Sequence, residues 1–457
     1  MSRPRSAGSV FWGLILISAG AIFLMRNLGY PVPIWTGIAR YWPVLLIVWG
    51  LIKLFDYARW KRAGEPGPLF GAGEVVLLIV VILAGTALTA AANLSPDFGY
   101  LFDMASINVW DITGNSYSYS EHYEKEVPQG ARIEIINRYG DVLVTPSESD
   151  QLVVDVAKTI VAVNEQEADR RAEDMKYSIE EDGSQYRVIS NLNRDSNRLR
   201  GRAFRTSLTI RVPRRAELTI DNRNGNVKLS GIGGEQRVTN TFGKVSLEDI
   251  DGDVVVSNKN DTVTLERIMG KATVTNEFAR VEVRDIGGAL DLRNQNGGVE
   301  VEKVKGDARI TNSFAAFLSV KNVEGRLDID ARNTAVDVNH VLGDVSVKNQ
   351  FQSITLEDIE GRADIDNRNG SVEVRYLRPP THDLQIDHRY GDVTLILPSS
   401  SAFTLDARTQ YSSISYRDFP ELDSRRNGQR TSVSGQVGTG GPAIRIDNQN
   451  GAIHLEK

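Results

Sequence analysis

K-A-T-V-T-N-E-F-A-R-V-E-V-R-D-I-G-G, residues 271–288, decides the architecture. It holds two short runs in which apolar and polar residues alternate, A-x-V-x-N and V-x-V, each bounded by turn residues. Alternation of period two puts successive side chains on opposite faces of a strand. Two strands this short cannot bury a core alone, but stacked copies can, by laying each valine over the valine of the next coil.

The unit recurs on both sides. An asparagine slot falls at Asn222, Asn240, Asn258, Asn276, Asn294, Asn312, Ala331, Asn349 and Asn367, in steps of 18 with one step of 19 before Ala331. An apolar residue follows five places on: Val227, Val245, Val263, Val281, Val299, Phe317, Val336, Ile354 and Val372. Glycine closes most units, from Gly234 and Gly252 to Gly343 and Gly361, and such turns contribute to the 40 glycines in 457 residues. The pattern predicts an all-β chain forming a parallel β-helix, or β-solenoid. Nine coils at about 4.8 Å each would span about 43 Å. The strands alternate rather than running continuously apolar, so one face of the wall is wet.

Two places after the asparagine slot, asparagine alternates with phenylalanine: Asn224, Phe242, Asn260, Phe278, Asn296, Phe314, Asn333, Phe351, Asn369. A 36-residue coil would stack like on like. It would also set Asp330 over Asp366 and Arg332 over Arg368, whereas an 18-residue coil puts Lys348 and Gln350 between them. Like charges directly opposite destabilise neighbouring strands, so the charges favour about 18 residues per coil.

The regular solenoid is expected over 222–376, with irregular C-terminal coils and a cap over 377–457. Tyr390, Tyr411 and Asn450 mark the later units, and 424–442 is an insertion. Residues 131–221 read as an N-terminal cap. The run Asn137-Arg-Tyr-Gly140 is an early turn, 164–176 is a short helix with Asn164 as N-cap, and Asp182-Gly183 turns a hairpin. A cap hides an edge that would otherwise invite aggregation. Residues 94–130 read as a poorly structured tether.

Residues 1–93 concentrate the hydropathy, and three transmembrane helices are expected at about 10–26, 36–55 and 75–92. Trp12, Arg26, Trp35, Trp42 and Lys53 stand at their ends as interfacial anchors. Arg3 and Arg5, together with Lys53, Arg59, Lys61 and Arg62, place the N-terminus and the second loop in the cytoplasm. Everything after Asn93 then lies outside, periplasmic or extracellular. The stretches left in the cytoplasm are too short for a catalytic output domain, so any signal needs a membrane protein partner.

F-W-G-L-I-L-I at 11–17, N-L-G at 27–29 and Y-W-P-V-L-L-I at 41–47 resemble the LiaF-like transmembrane region of bacterial envelope proteins, over about the first 60 residues. The G-x-V-x-L/V cores and N-x-[NF]-G turns, as at 222–229 and 367–374, resemble the bacterial adhesin-like domains built of repeated β-strands, over about 130–457. The first resemblance implies a part in envelope-stress response. The second implies the repeated-strand fold and leaves function open.

Composition removes several chemistries. With no cysteine there is no disulfide framework, thiolate metal site or cysteine nucleophile. The five histidines, His122, His340, His382, His388 and His454, form no H-x-x-x-H pair. A net charge of −6 argues against nucleic acid as a partner. No G-x-S-x-G or phosphate-cradling glycine loop opens a helix. No catalytic residue, metal or cofactor is expected.

Two clusters remain as candidates. Nine arginines fall between Arg187 and Arg215, with Asp195 the only acid among them. Arg198, Arg200, Arg202 and Arg205 at its centre read as a site for a polyanion, such as anionic lipid or an envelope polysaccharide; a solvated loop paired with nearby acids is the alternative. Asp328, Asp330, Asp364 and Asp366 face outward and could hold calcium or cleave a glycan, but Arg326, Lys348 and Arg362 favour an ion ladder. The chain is therefore expected to be a non-enzymatic, membrane-anchored envelope protein whose solenoid interacts, scaffolds or senses. A surface adhesin and a β-helix glycan lyase or hydrolase are the alternatives.

Overall fold

A computed structural model of the protein describes residues 115–191 and 204–457. The chain divides into two compact units, Met1–Asn108 and Val109–Lys457, and the described residues belong to the second. The three expected membrane helices lie outside the described residues. Among those residues no helix is long and apolar enough to cross a membrane.

Each regular coil contributes one strand to each of two parallel ladders. In the unit quoted above these are Ala272–Asn276 and Val281–Ile286. Val245 pairs with Val263, Val263 with Val281, and Val281 with Val299. The other ladder runs Ala272, Leu290, Ala308, Leu327, Val345, Ala363. The coil is therefore 18 residues, and Lys348 lies between Asp330 and Asp366 as the charges required. The inner rows of both ladders are buried as one continuous core. Each fully buried valine or leucine contributes about 1.5–3 kcal/mol.

Two local devices shape the coil. The first is a left-handed residue near the end of one strand: Asp249, Arg267, Asp285, Lys303, Asn322, His340 and Asp358 all have φ between 55° and 63°. The ladder skips this residue, as between Glu248 and Ile250, so the following apolar residue also turns inward. Asparagine and aspartate tolerate that conformation, while arginine and lysine pay a small steric cost. The second device is the placement of the extra residue. Val299 pairs with Leu318 rather than Phe317, so the insertion sits in the turn after Ser313. The core slot expected for Phe317 is held by Leu318. The Phe317 ring lies instead over Gly298, with the Arg280 guanidinium 5.6 Å from its centroid.

The two ends are built by insertion. Arg132–Pro146 bends at Gly140; its first half pairs in parallel with Glu217–Asn224 and its second half with Val227–Ser230. On its outer side lie Gln185–Ser190 and Phe204–Val212. Antiparallel strands then close that end: Tyr177–Asp182 on one ladder, Gln151–Ala162 and Asn115–Glu126 on the other. The last strand corrects the expected tether over 94–130, because its residues 115–126 pair along their whole length with Gln151–Ala162. Its alternating burial, as at Tyr117, Tyr119 and Tyr123, marks a strand whose inner face is aromatic rather than aliphatic. The helix Glu165–Glu173 is capped by Asn164, whose side chain accepts from the Glu167 N–H at 2.9 Å.

At the other end the chain order is broken. Ala443–Asn450 lies between Leu384–Tyr390 and Phe403–Gln410, in parallel with both. Ile453–Glu456 lies in the same way between Val393–Ile396 and Ile414–Ser415. The strands Arg430–Val437 and Asp423–Asn427 then cover the last edge in antiparallel fashion.

Candidate functional site

Of the four arginines singled out by sequence, Arg198, Arg200 and Arg202 lie outside the described residues. Arg205 stands on Phe204–Val212 and pairs with Asp141 at 2.5 Å. Two others of the basic stretch are paired as well, Arg187 with Glu134 at 2.6 Å and Arg211 with Asp155 at 3.1 Å. The Glu134 carboxylate, by hydrogen bond and charge, raises the Arg187 pKa.

The aspartates sit on an outer wall among cations. Asp328 accepts from Arg326 at 2.9 Å and lies 3.8 Å from Arg309, and Asp364 lies 3.5 Å from Arg362. Asp330 and Asp366 flank Lys348. Among the described residues no three His, Asp or Glu side chains converge as a metal site would need.

One corner of the solenoid carries two columns of different character. The asparagine slot forms the inner column, and its side chains are buried. Except at Asn312, the Nδ2 in the regular coils donates to the carbonyl three residues on: Asn240 to Gly243 at 2.9 Å, Asn294 to Gly297 at 2.8 Å, Asn349 to Gln352 at 3.1 Å. The same Nδ2 reaches the matching carbonyl of the preceding coil, as from Asn240 to Gly225 at 3.2 Å and from Asn349 to Thr334 at 3.0 Å. The asparagines thus satisfy turn carbonyls that would otherwise be buried without donors. Ala331 interrupts the column, and the side chain of neighbouring Asn312 makes no hydrogen bond.

Two residues on, the alternation noted in the sequence becomes an outer column. Tyr139 pairs with Asn224, Asn224 bridges to Phe242, and beyond the regular coils Asn369 pairs with Tyr390 and Tyr390 with Asn450. Phe242, Phe278, Phe314, Phe351, Tyr390 and Tyr411 are between 39% and 60% exposed. In the sequence this alternation bears on coil length; the return of an aromatic residue in every second unit is the signal that also marks the column.

His388 takes the asparagine slot between Asn367 and Asn448. Its Nδ1 lies 3.0 Å from the Asn367 carbonyl. Burial lowers its pKa, against backbone hydrogen bonds at Asn367, Gly370 and Gly391 that raise it. The unfolded chain, titrating near ~6.5, then binds more protons than the folded one between the folded pKa and that value. Stability is present above this window and falls as pH drops through it. His388→Asn restores the residue of the neighbouring coils. Its melting temperature is expected to decline less than the wild type's between about pH 6.5 and 5, and parallel melting curves across that range would refute the assignment.

Residues 131–456 match the family Toastrack DUF4097. Residues 11–107 match the LiaF transmembrane domain, which extends the resemblance seen in the first 60 residues. Among curated proteins nothing matches the chain. Similar solved structures include a proposed cell adhesion protein from Clostridium sporogenes, at 10% identity over 75% of this chain and 99% of that one, with a TM-score of 0.16. A proposed adhesin from Bacteroides fragilis is 12% identical over 74% of this chain and 96% of that one, with a TM-score of 0.18. A proposed lipid-binding protein from Parabacteroides distasonis is 10% identical over 60% of this chain and 96% of that one, with a TM-score of 0.19. A LiaF transmembrane match followed by a β-solenoid fits a membrane-anchored envelope protein, and the family match over most of its length shows that the chain belongs to the Toastrack DUF4097 family.

Proposed function

We propose that the protein is a non-enzymatic module of the bacterial cell envelope. Its N-terminal region sits in the cytoplasmic membrane with the N-terminus inside, and the β-solenoid stands outside as an interaction, scaffold or sensing surface. The observation that carries this reading is the joining of the two family matches in one chain, 11–107 and 131–456. A repeated wall supplies an extended binding surface, and the ion pairs around Asp328 and Asp364 give those aspartates a structural use. The LiaF match favours a part in envelope-stress signalling through a membrane protein partner, which is an analogy of architecture. Arg198, Arg200, Arg202 and Arg205 remain the proposed contact for anionic lipid or another envelope polyanion.

In-cell photocrosslinking of the full-length protein tests the reading, with probes within 41–55 and 198–205. A membrane protein captured at the first set supports the signalling or scaffold role. Crosslinks confined to lipid or polysaccharide at the second set, with no protein at the first, would discard the partner and leave an envelope-binding anchor.

A further inference from the structure

Part of the exposed aromatic column is built on a disfavoured backbone. Phe314 and Phe351 hold φ of 58° and 74°, a left-handed conformation that disfavours bulky residues because Cβ crowds the following carbonyl oxygen. Asn296 and Asn333 occupy the same corner position at φ 59° and 55°, where asparagine is tolerated. Folding alone is therefore served as well or better by asparagine, which the neighbouring coils use. Yet a ring recurs at every second coil, about half exposed, so burial repays little of the strain.

The spacing carries information about a ligand. Coils stack at the strand separation, so successive rings stand two coils apart, about 9.6 Å along the axis. That is close to the advance of one disaccharide in an extended β-1,4-linked glycan, where every second sugar presents the same face. Apolar sugar faces stack on aromatic rings, which combine large contact area with little conformational freedom. Between the rings lie uncharged amides. Asn260 is held by its Nδ2 donating to the Thr241 carbonyl at 2.9 Å, and Asn224 likewise to Arg138 at 3.0 Å. Gln295, Gln350 and Gln449 precede corner positions in their own coils. Amides can both donate to and accept from hydroxyl and acetamido groups.

Other occupants fit less well. Sinking the column into hydrocarbon would strip water from the free amide oxygens and N–H groups of the intervening asparagines without replacing their hydrogen bonds. Single-stranded nucleic acid needs a continuous basic track beside its stacking rings, whereas here Arg223, Lys259, Arg332, Arg368 and Arg389 are interrupted by Thr241, Glu277, Gln295, Ser313 and Gln350, and Lys259 is paired with Glu277 at 3.5 Å.

We propose that the corner bearing Phe242, Phe278, Phe314, Phe351, Tyr390 and Tyr411 binds an extended β-1,4-linked glycan strand along the solenoid axis, one disaccharide per ring. The inference rests on the reading of the solenoid as an exported envelope module and names its ligand class.

Full-length protein in detergent micelles is titrated calorimetrically with β-1,4-linked N-acetylglucosamine oligomers of two, four and six sugars. Affinity should rise with each added disaccharide, as successive rings are engaged by one chain. The triple variant Phe278→Asn, Phe314→Asn, Phe351→Asn should bind the longest oligomer at least about tenfold more weakly, with an unchanged or higher melting temperature. No binding of any oligomer, affinity independent of length, or unchanged affinity in the variant would each overturn the proposal. So would a variant whose only loss is flotation with anionic vesicles, or self-association, since the column would then face a membrane or a second copy. A membrane partner crosslinked at 41–55 would leave the broader reading standing if the glycan fails.

Discussion

Deleting residues 443–457 is expected to unfold the C-terminal end of the solenoid while leaving its regular coils intact. The deleted segment is a wedge. Ala443–Asn450 completes one ladder between Leu384–Tyr390 and Phe403–Gln410, and Ile453–Glu456 completes the other. Ile444, Ile446, Ile453 and Leu455 are buried in the common core. At about 1.5–3 kcal/mol each, their loss alone approaches the ~5–15 kcal/mol that holds a typical domain together. Removing them also leaves Leu384–Tyr390 and Phe403–Gln410 as unpaired edges facing a gap. In a solenoid each coil contacts only its neighbours, so the damage stays near the cut. Hydrogen exchange of the full-length and shortened proteins should show amides across 384–437 losing protection, with those across 245–341 unchanged. Retained protection at 403–410 would mean that the preceding coil closes onto Leu384–Tyr390 without the wedge.

This end also shows where sequence reasoning stopped. The 18-residue spacing and the asparagine slot were legible because neighbouring coils repeat one local solution: a buried amide feeding turn carbonyls, and an aliphatic row on each side. The position of Ala443–Asn450 was not legible from period alone, since strand order is set by which edges remain open after earlier coils have stacked. A clue was present nonetheless. In chain order the marker residues run Tyr390, Tyr411, Asn450, which breaks the alternation of ring and amide. In space Asn450 pairs with Tyr390, and Thr409, two residues before Tyr411, pairs with Asn448, so the alternation is kept. The insertion near Phe317 was misplaced for a related reason. Phe317 and Leu318 are both apolar, and only the pairing with Val299 decides which faces inward. The strand Asn115–Glu126 was missed because serines, glutamates and tyrosines alternate there without an aliphatic row. As for the candidate site, the ring column stood in the sequence, but its meaning depended on exposure, which period alone does not give.

The glycines that close the coils are expected to tolerate no side chain, although none of those in the regular stack needs a left-handed backbone. Gly252, Gly270, Gly288, Gly306, Gly325, Gly343 and Gly361 lie over one another at the corner opposite in the coil from the asparagines. Gly306 N–H donates to the Gly288 carbonyl at 3.1 Å, and Gly288 in turn to Gly270 at 3.1 Å. A Cβ on Gly306 would stand 2.6 Å from the Gly288 oxygen and 2.8 Å from the Ala289 nitrogen. Both obstacles are backbone held in a ladder, so they cannot swing aside as a flexible side chain would. Gly306→Val should therefore cost on the order of 3 kcal/mol or more. Gly130→Ala is the matched control: nothing lies within 4 Å of its added Cβ, and its change should stay within about 0.5 kcal/mol. Because coils are coupled only to neighbours, the first opening in Gly306→Val should appear by hydrogen exchange between 281 and 323, with the wedge region 384–396 still protected. Equal denaturation midpoints for the two variants would show that the coils can spread at this corner, and that the glycine column reflects something other than close backbone approach.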